Sequence, residues 1–225
     1  MTQTLNVLIV DDHPLIVKAY QGALNHFNKI KPEYSFNIST ANDCEQAYAK
    51  IQQASKGEGI DLVFLDISLP PTNDGEIVSG EDLGVVMREL LPETKIMVST
   101  TYTKNVRLNS ILRSVNPDGF LIKNDLTPEI LTEAIETVIV DPPYYGKAVL
   151  KFLRKKSSKD FVIDRIDRRM LYELSRGTKM GEMPEILNLS IAAIERRKRI
   201  LKEEFNVDGK GDRELLTAAE EAGFI

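Results

Sequence analysis

Five times in the first 140 residues a short apolar run is followed by a longer stretch carrying one apolar stripe, and this alternation restricts the possible fold more than any other feature. The runs Val7-Leu8-Ile9-Val10, Phe36 to Thr40, Leu62 to Leu65, Ile96-Met97-Val98 and Gly119 to Ile122 are too short for helices and read as strands. Pro14 to Phe27, Asp43 to Ala54, Glu81 to Leu91, Lys104 to Ser114 and Thr127 to Val140 are spaced as amphipathic helices. Repeated strand-helix alternation predicts an α/β domain, a doubly wound (βα)5 unit around a five-stranded parallel sheet. In such sheets function gathers at the carboxyl ends of the strands.

The pattern then changes. Asp141-Pro142-Pro143 breaks the last helix, because paired prolines cannot continue one. A short helix from Gly146 to Leu153 leads into the basic, serine-containing stretch Arg154 to Lys159, which reads as a linker. From Asp164 onward the periodicity is helical throughout, with Asp164 and Ser190 as helix caps and Gly177 as a stop. The expected division is therefore residues 1–140, a linker with a short helix over 141–162, and an all-α domain over 163–225.

Charge divides the same way. Residues 1–150 hold 12 basic and 20 acidic side chains, and residues 151–225 hold 17 and 14. An acidic front and a basic back suggest different partners. No apolar run approaches the roughly eighteen residues of a membrane helix, and no basic start with an apolar signal core opens the chain, so a cytoplasmic protein is expected. A single cysteine, Cys44, excludes an internal disulfide framework, and with only His13 and His26 a Cys/His zinc site has too few ligands.

The strand ends form a chemical set. The first ends in Asp11-Asp12, the third in Asp66, the fourth in Ser99-Thr100 and the fifth in Lys123. Adjacent parallel strands would bring these side chains to one pocket. Three acids held close repel one another, and a divalent cation with hard oxygen preference, Mg2+, relieves the repulsion. Asp66 can then act as a carboxylate nucleophile toward a phosphoryl group, with Lys123 and Thr100 stabilising its oxygens.

At these residues the chain resembles the receiver domain of bacterial two-component response regulators. "IVDDHPL" is similar to the acid pair after the first strand, "FLDISLP" to the phosphoacceptor loop, "MVSTTY" to the switch hydroxyl, and "DGFLIKN" to the switch aromatic and lysine. The resemblance covers about residues 4–140. It implies that Asp66 is the phosphorylated aspartate, Asp12 a direct metal ligand, Asp11 its outer-shell partner, and the Ser68 backbone carbonyl a further ligand. It also implies that Thr100 turns toward the phosphoryl group, Phe120 rotates inward behind it, and Lys123 holds a phosphoryl oxygen. Ser68 and Tyr102 occupy positions expected to tune hydrolysis of the phosphoryl group. Two departures stand out: extra polar residues from Pro71 to Ser79, leaving either Gly75 or Gly80 as the turn glycine, and Asn124 where the family usually has proline.

The C-terminal half contains an unbroken basic row, Arg196-Arg197-Lys198-Arg199. On a helical wheel Ile191, Ile194, Leu201 and Phe205 form one stripe while Glu195, Arg196, Arg199 and Glu203 point the other way. From about Ile163 to Ile225 the segment resembles the LuxR/NarL-type helix-turn-helix output domain, with "IAAIERRKRILKEEF" as recognition helix. The resemblance implies double-stranded DNA as partner, with Glu195, Arg196 and Arg199 toward base edges and Arg197, Lys198 and Lys202 nearer phosphates. Gly181 and Pro184 require the preceding scaffold helix to be short or to start late.

The combined expectation is a response regulator of the NarL/FixJ family: a histidine kinase donates to Asp66, a homodimer forms on phosphorylation, and DNA binding controls transcription. Such a protein would accept a phosphoryl group and lose it again without being an enzyme toward an external substrate. The competing readings are a Mg2+-dependent phosphatase or phosphotransferase, for which no separate acid/base set is present, and a receiver-controlled module whose degenerate helix-turn-helix binds protein or RNA.

Overall fold

A computed structural model describes residues 2–155 and 162–225. The first part alternates as expected: β1 (Gln3–Val10), α1 (Pro14–Ile30), β2 (Tyr34–Ala41), α2 (Cys44–Ala54), β3 (Leu62–Asp66), α3 (Gly80–Leu90), β4 (Lys95–Thr100), α4 (Asn105–Ser114), β5 (Gly119–Ile122) and α5 (Pro128–Val140). All strand pairs are parallel, in the order β2-β1-β3-β4-β5-β6. The order reverses beside β1, between the ends of β1 and β3, which is where a doubly wound sheet opens a ligand crevice.

The sheet has six strands, not five. The added β6 (Tyr144–Tyr145) pairs with β5 through Tyr144 N–H to the Asp118 carbonyl and Gly146 N–H to the Phe120 carbonyl, both at 2.9 Å. Two residues cannot show a period, so the expected linker hid a strand. The helix that follows, α6 (Lys147–Lys155), buries Val149 and Phe152. The first compact unit accordingly reaches past residue 140, taking in Met1–Thr103 and Ser114–Lys156. Most of the expected linker stretch Arg154 to Lys159 lies outside the described residues.

Every residue of β3 is buried. A central strand of a parallel sheet lies between helix layers, so it reads as a continuous apolar run. Phe64 of β3 belongs to a core with Ile9, Tyr20, Phe27, Met97, Leu121 and Ile135, and its ring stacks on Tyr20 at 4.5 Å between centroids. Full burial of side chains of this size contributes about 1.5–3 kcal/mol each.

The second unit holds Lys104–Arg113 together with Ser157–Ile225. Its C-terminal helices are α7 (Arg165–Ser175), α8 (Met183–Leu187), α9 (Ile191–Glu204) and α10 (Asp212–Ala222). Asp164 and Asp167 form a capping box that starts α7, each side chain accepting from the other's backbone N–H. Pro184 sits in the first turn of the five-residue α8, where the missing N–H is harmless. Asn188 then turns the chain with a left-handed φ of 51°, and Ser190 caps α9 by accepting from Ala193 N–H. Met170, Leu171, Met183, Ile194, Leu201, Leu215 and Phe224 close one apolar core.

Candidate functional site: a buried carboxylate pocket and a basic helix

The pocket stands at the ends of β1, β3 and β5. Asp66, the last residue of β3, is 1% exposed, and Asp11, directly after β1, is 2% exposed. Lys123 follows β5 and bridges them: its Nζ lies 2.7 Å from Asp66 Oδ2 and 2.8 Å from Asp11 Oδ2. Both contacts pair the ammonium with a buried carboxylate. Ser68 N–H donates to Asp66 Oδ1 at 3.1 Å, which places Ser68 at the pocket through its backbone.

Burial raises the Asp66 pKa above the ordinary aspartate value, while the hydrogen bond and charge of Lys123 and the Ser68 N–H pull it back. Burial also works against the Lys123 ammonium, but the hydrogen bonds and charges of Asp11 and Asp66 outweigh it and raise that pKa. The ion pair is therefore held charged from the lysine side.

Asp12 and His13 form the rim. His13 Nδ1 lies 2.5 Å from Asp12 Oδ1 and 3.4 Å from Asp11 Oδ1. One ligand atom from each of Asp11, Asp12, His13 and Asp66 falls within 4.8 Å of all the others. Such a set suits a divalent cation: two carboxylates are buried and a third reaches solvent. The three acids stand out in the sequence as strand-end residues, whereas His13 is one of only two histidines and carries no metal-ligand spacing of its own.

Thr100 and Phe120 lie on the neighbouring strands β4 and β5. Thr100 ends β4 fully buried, its Oγ1 accepting from Tyr102 N–H at 3.1 Å, and Phe120 of β5 is fully buried opposite Val98. A further buried pair was invisible in the sequence: the Tyr20 hydroxyl donates to Ser99 Oγ at 2.7 Å, and Ser99 is the register partner of Asp66.

The inserted residues form a closed structure beside this pocket. Thr72 N–H donates to the Ile77 carbonyl at 2.9 Å, Ile77 N–H returns to Thr72 Oγ1 at 3.1 Å, and Gly75 N–H reaches the Thr72 carbonyl at 3.0 Å. The loop is moored to α2 by Asn73 N–H on Glu45 Oε2 and to α3 by Val78 N–H on Asp82 Oδ2. The two candidate glycines have separate duties. Gly75, at a φ of 66°, makes the turn, whereas Gly80 lets α3 pass so near β3 that a Cβ there would lie 1.8 Å from the Asp66 carbonyl oxygen.

On α9, Glu195, Arg196 and Arg199 are exposed, and Arg199 reaches Glu203 at 3.4 Å. The remaining three expected contact residues have partners inside the domain. Arg197 Nη1 lies 2.8 Å from both Asp164 and Asp167, while Lys198 and Lys202 each lie 3.0 Å from Asp212 at the start of α10. Arg197 thus ties α9 to the capping box of α7.

Comparison with known proteins agrees with these features. The family described as "Response regulator receiver domain" matches residues 7–136. Among relatives, the oxygen regulatory protein NreC of Staphylococcus haemolyticus is 24% identical over 218 residues, covering 92% of this chain and 93% of that protein. Response regulator UvrY of Escherichia coli is 21% identical over 212 residues, covering 91% and 89%. Among solved structures, RcsB from Salmonella enterica serovar Typhimurium, bound to promoter rprA in the presence of phosphomimetic BeF3-, matches with a TM-score of 0.67 at 20% identity, covering 97% and 99%. The chain belongs to the response regulators, with a receiver domain in its first half and, in fold, the receiver-plus-helical-domain arrangement of the NarL/FixJ type.

Proposed function

We propose that Asp66 accepts a phosphoryl group from a sensor histidine kinase and that its phosphorylation controls duplex DNA binding through α9. The observation that carries this reading is the Lys123 ammonium bridging two buried carboxylates, 2.7 Å from Asp66 and 2.8 Å from Asp11, at the carboxyl ends of parallel strands. An Asp66 carboxylate oxygen attacks the phosphorus of a phosphohistidine. The P–N bond breaks, the imidazole leaves with the electron pair and takes up a proton, and an acyl phosphate remains on Asp66. Lys123 stays with the transferred oxygens, and Thr100 leaves Tyr102 N–H to donate its hydroxyl to one of them. A hard divalent cation, Mg2+, held by Asp11, Asp12, Asp66 and the Ser68 carbonyl, would supply charge neutralisation. Water later hydrolyses the acyl phosphate, so the chain resets itself and turns over no external substrate.

The output rests on the exposed side of α9. Arg196 and Arg199 suit guanine edges and Glu195 suits cytosine, and phosphorylation-dependent dimers would place two such helices about one DNA turn apart. The homologous RcsB was solved on promoter DNA, which supports this assignment. Among the described residues no helix is long and apolar enough to cross a membrane, in keeping with a cytoplasmic regulator. A second reading, a protein- or RNA-binding output, draws support from the internal pairing of Arg197, Lys198 and Lys202.

One experiment tests both halves. The chain is incubated with Mg2+ and acetyl phosphate, and mass, oligomeric state and genome-wide DNA enrichment are measured for wild type and Asp66→Asn. Wild type should gain one labile phosphoryl group and enrich specific sites, and Asp66→Asn should do neither. A folded wild type that gains no phosphoryl mass sinks the proposal, and phosphorylation without DNA enrichment favours the second reading.

A further inference from the structure

The helix α6 (Lys147–Lys155) has two faces of opposite character. Val149 and Phe152 are buried, and Gly146 N–H, one residue before the helix, bonds the Phe120 carbonyl at 2.9 Å, so α6 starts from a fixed point on the sheet. Lys147, Lys151 and Arg154 lie on the other side, within an arc of about 60° and over about 10 Å of helix, and all three are exposed. Among the described residues none of these three side chains has an ion-pair or hydrogen-bond partner. Residues 1–150 are acidic overall, yet 147–159 hold six cations and no acid. On α9 the opposite holds. Arg197, Lys198 and Lys202 are engaged by Asp164, Asp167 and Asp212, so the cations expected nearest to phosphates are already neutralised inside their own domain.

We propose that the Lys147-Lys151-Arg154 face of α6 is a second DNA contact, a sequence-independent clamp on the phosphate backbone that acts alongside the exposed side of α9. The inference rests on the DNA-binding reading above. Duplex DNA presents one negative charge per about 1.7 Å of its axis, so a cationic stripe about 10 Å long meets several phosphates whatever the base order. Seven residues join Lys155 to Ile163, at most about 3.6 Å each, so a duplex held by one element is kept at high local concentration for the other. An anionic lipid surface fits this face less well. An interfacial helix buries its apolar side in the bilayer, whereas Val149 and Phe152 are already packed in protein.

The test is fluorescence anisotropy of the full chain, treated with Mg2+ and acetyl phosphate, on a labelled mixed-sequence duplex from about 50 to about 200 mM salt. Wild type is compared with the triple variant Lys147→Gln, Lys151→Gln, Arg154→Gln and with the charge-conserving Lys147→Arg, Lys151→Arg, Arg154→Lys. Both variants should match wild type in circular dichroism and in phosphoryl uptake. Each lost phosphate contact removes about 0.9 from the slope of log affinity against log salt. The glutamine variant should therefore lose about 2–3 in slope and bind at least about tenfold more weakly at low salt, while the charge-conserving variant keeps the wild-type slope. A glutamine variant with the wild-type slope overturns the proposal. An equal loss in both variants overturns it too, because the effect would then be structural and not one of charge. Binding to phosphatidylglycerol vesicles that the glutamine variant loses, with its duplex slope unchanged, would assign the face to a membrane instead. A wild type that binds no duplex at any salt rejects the DNA-binding reading itself, whereas duplex binding whose slope is independent of α6 rejects the inference alone.

Discussion

The Tyr20 hydroxyl donates to Ser99 Oγ at 2.7 Å inside the receiver core, joining α1 to β4 one residue before Thr100 and across from Asp66. Burial raises the phenol pKa far above its ordinary value, the Ser99 hydrogen bond opposes that rise, and the charges of Asp11 and Asp66 add to it. Tyr20→Phe leaves a buried serine oxygen without this donor and should cost about 1–3 kcal/mol, whereas Tyr20→Phe combined with Ser99→Ala should recover much of the loss. Urea unfolding of the two single variants and the double variant measures the coupling, and strictly additive losses would contradict it.

Gly80→Ala drives a methyl group onto the Asp66 carbonyl oxygen, a backbone atom that cannot swing away. Overpacking of this kind costs about 1–3 kcal/mol, and here the strain falls on the backbone of Asp66, the proposed phosphoacceptor. Gly80→Ala should therefore slow acetyl phosphate uptake as well as lower the unfolding midpoint. Gly75→Ala strains only the loop turn and should leave uptake near wild type.

Cys44 is fully buried at the start of α2, and burial, helped by the charges of Asp82, Asp43, Asp66 and Glu45, pushes its thiol up to about 12. The thiolate is the reactive form, so Cys44 should resist iodoacetamide at pH 8 in the folded chain and react promptly in urea. Mass spectrometry of a timed alkylation reports this directly, and rapid labelling of native protein would refute it.

Arg197 and Arg199 are two residues apart and should separate stability from recognition. Arg197→Ala leaves Asp167, whose side chain is 6% exposed, without its cation, at an expected cost of about 1–3 kcal/mol. Arg199→Ala, with a side chain 69% exposed, should change stability by less than about 0.5 kcal/mol and weaken specific DNA binding. Thermal unfolding and DNA titration of both variants check the pair.

The pH response of the second unit should show the Asp212 contacts. Burial acts to raise this carboxyl, but the hydrogen bonds and charges of Lys198 and Lys202 outweigh it and hold the folded pKa below the ordinary value. A depressed carboxyl stabilises the fold above its unfolded pKa, about 3.9, and that contribution disappears as pH falls through the folded value. Asp212→Asn should therefore lower the unfolding midpoint at pH 7 and converge with wild type as pH falls below the ordinary carboxylate range. A difference that persists undiminished into acid would rule out the charge as its source.

Much of this arrangement could be read from residue order because its causes are local. The apolar run Leu62 to Leu65 is what a strand covered on both faces requires, and Asp66 after it could only be an end-of-strand acid. Asp164 and Ser190 cap their helices as their chemistry implies. The unread part consists of long-range or very short features. Tyr20 and Ser99 are 79 residues apart, and Arg197 lies 33 residues from Asp164, so no window of sequence holds both partners. A two-residue strand such as β6 has no period to detect. His13 was legible as the residue after the acid pair, but not as an imidazole turned onto Asp12 Oδ1, since which way a ring turns at a helix start is settled by packing.

The two margins of the receiver sheet differ in what they offer to other polypeptides. β6 ends one side after two residues, too short a template for an added strand to gain register, while β2 borders the other with eight. If the receiver opens in part at high concentration, strand addition and aggregation will begin at Tyr34–Ala41, and a lysine placed on an outward position there, such as Ser39, is the change by which solubility would be engineered.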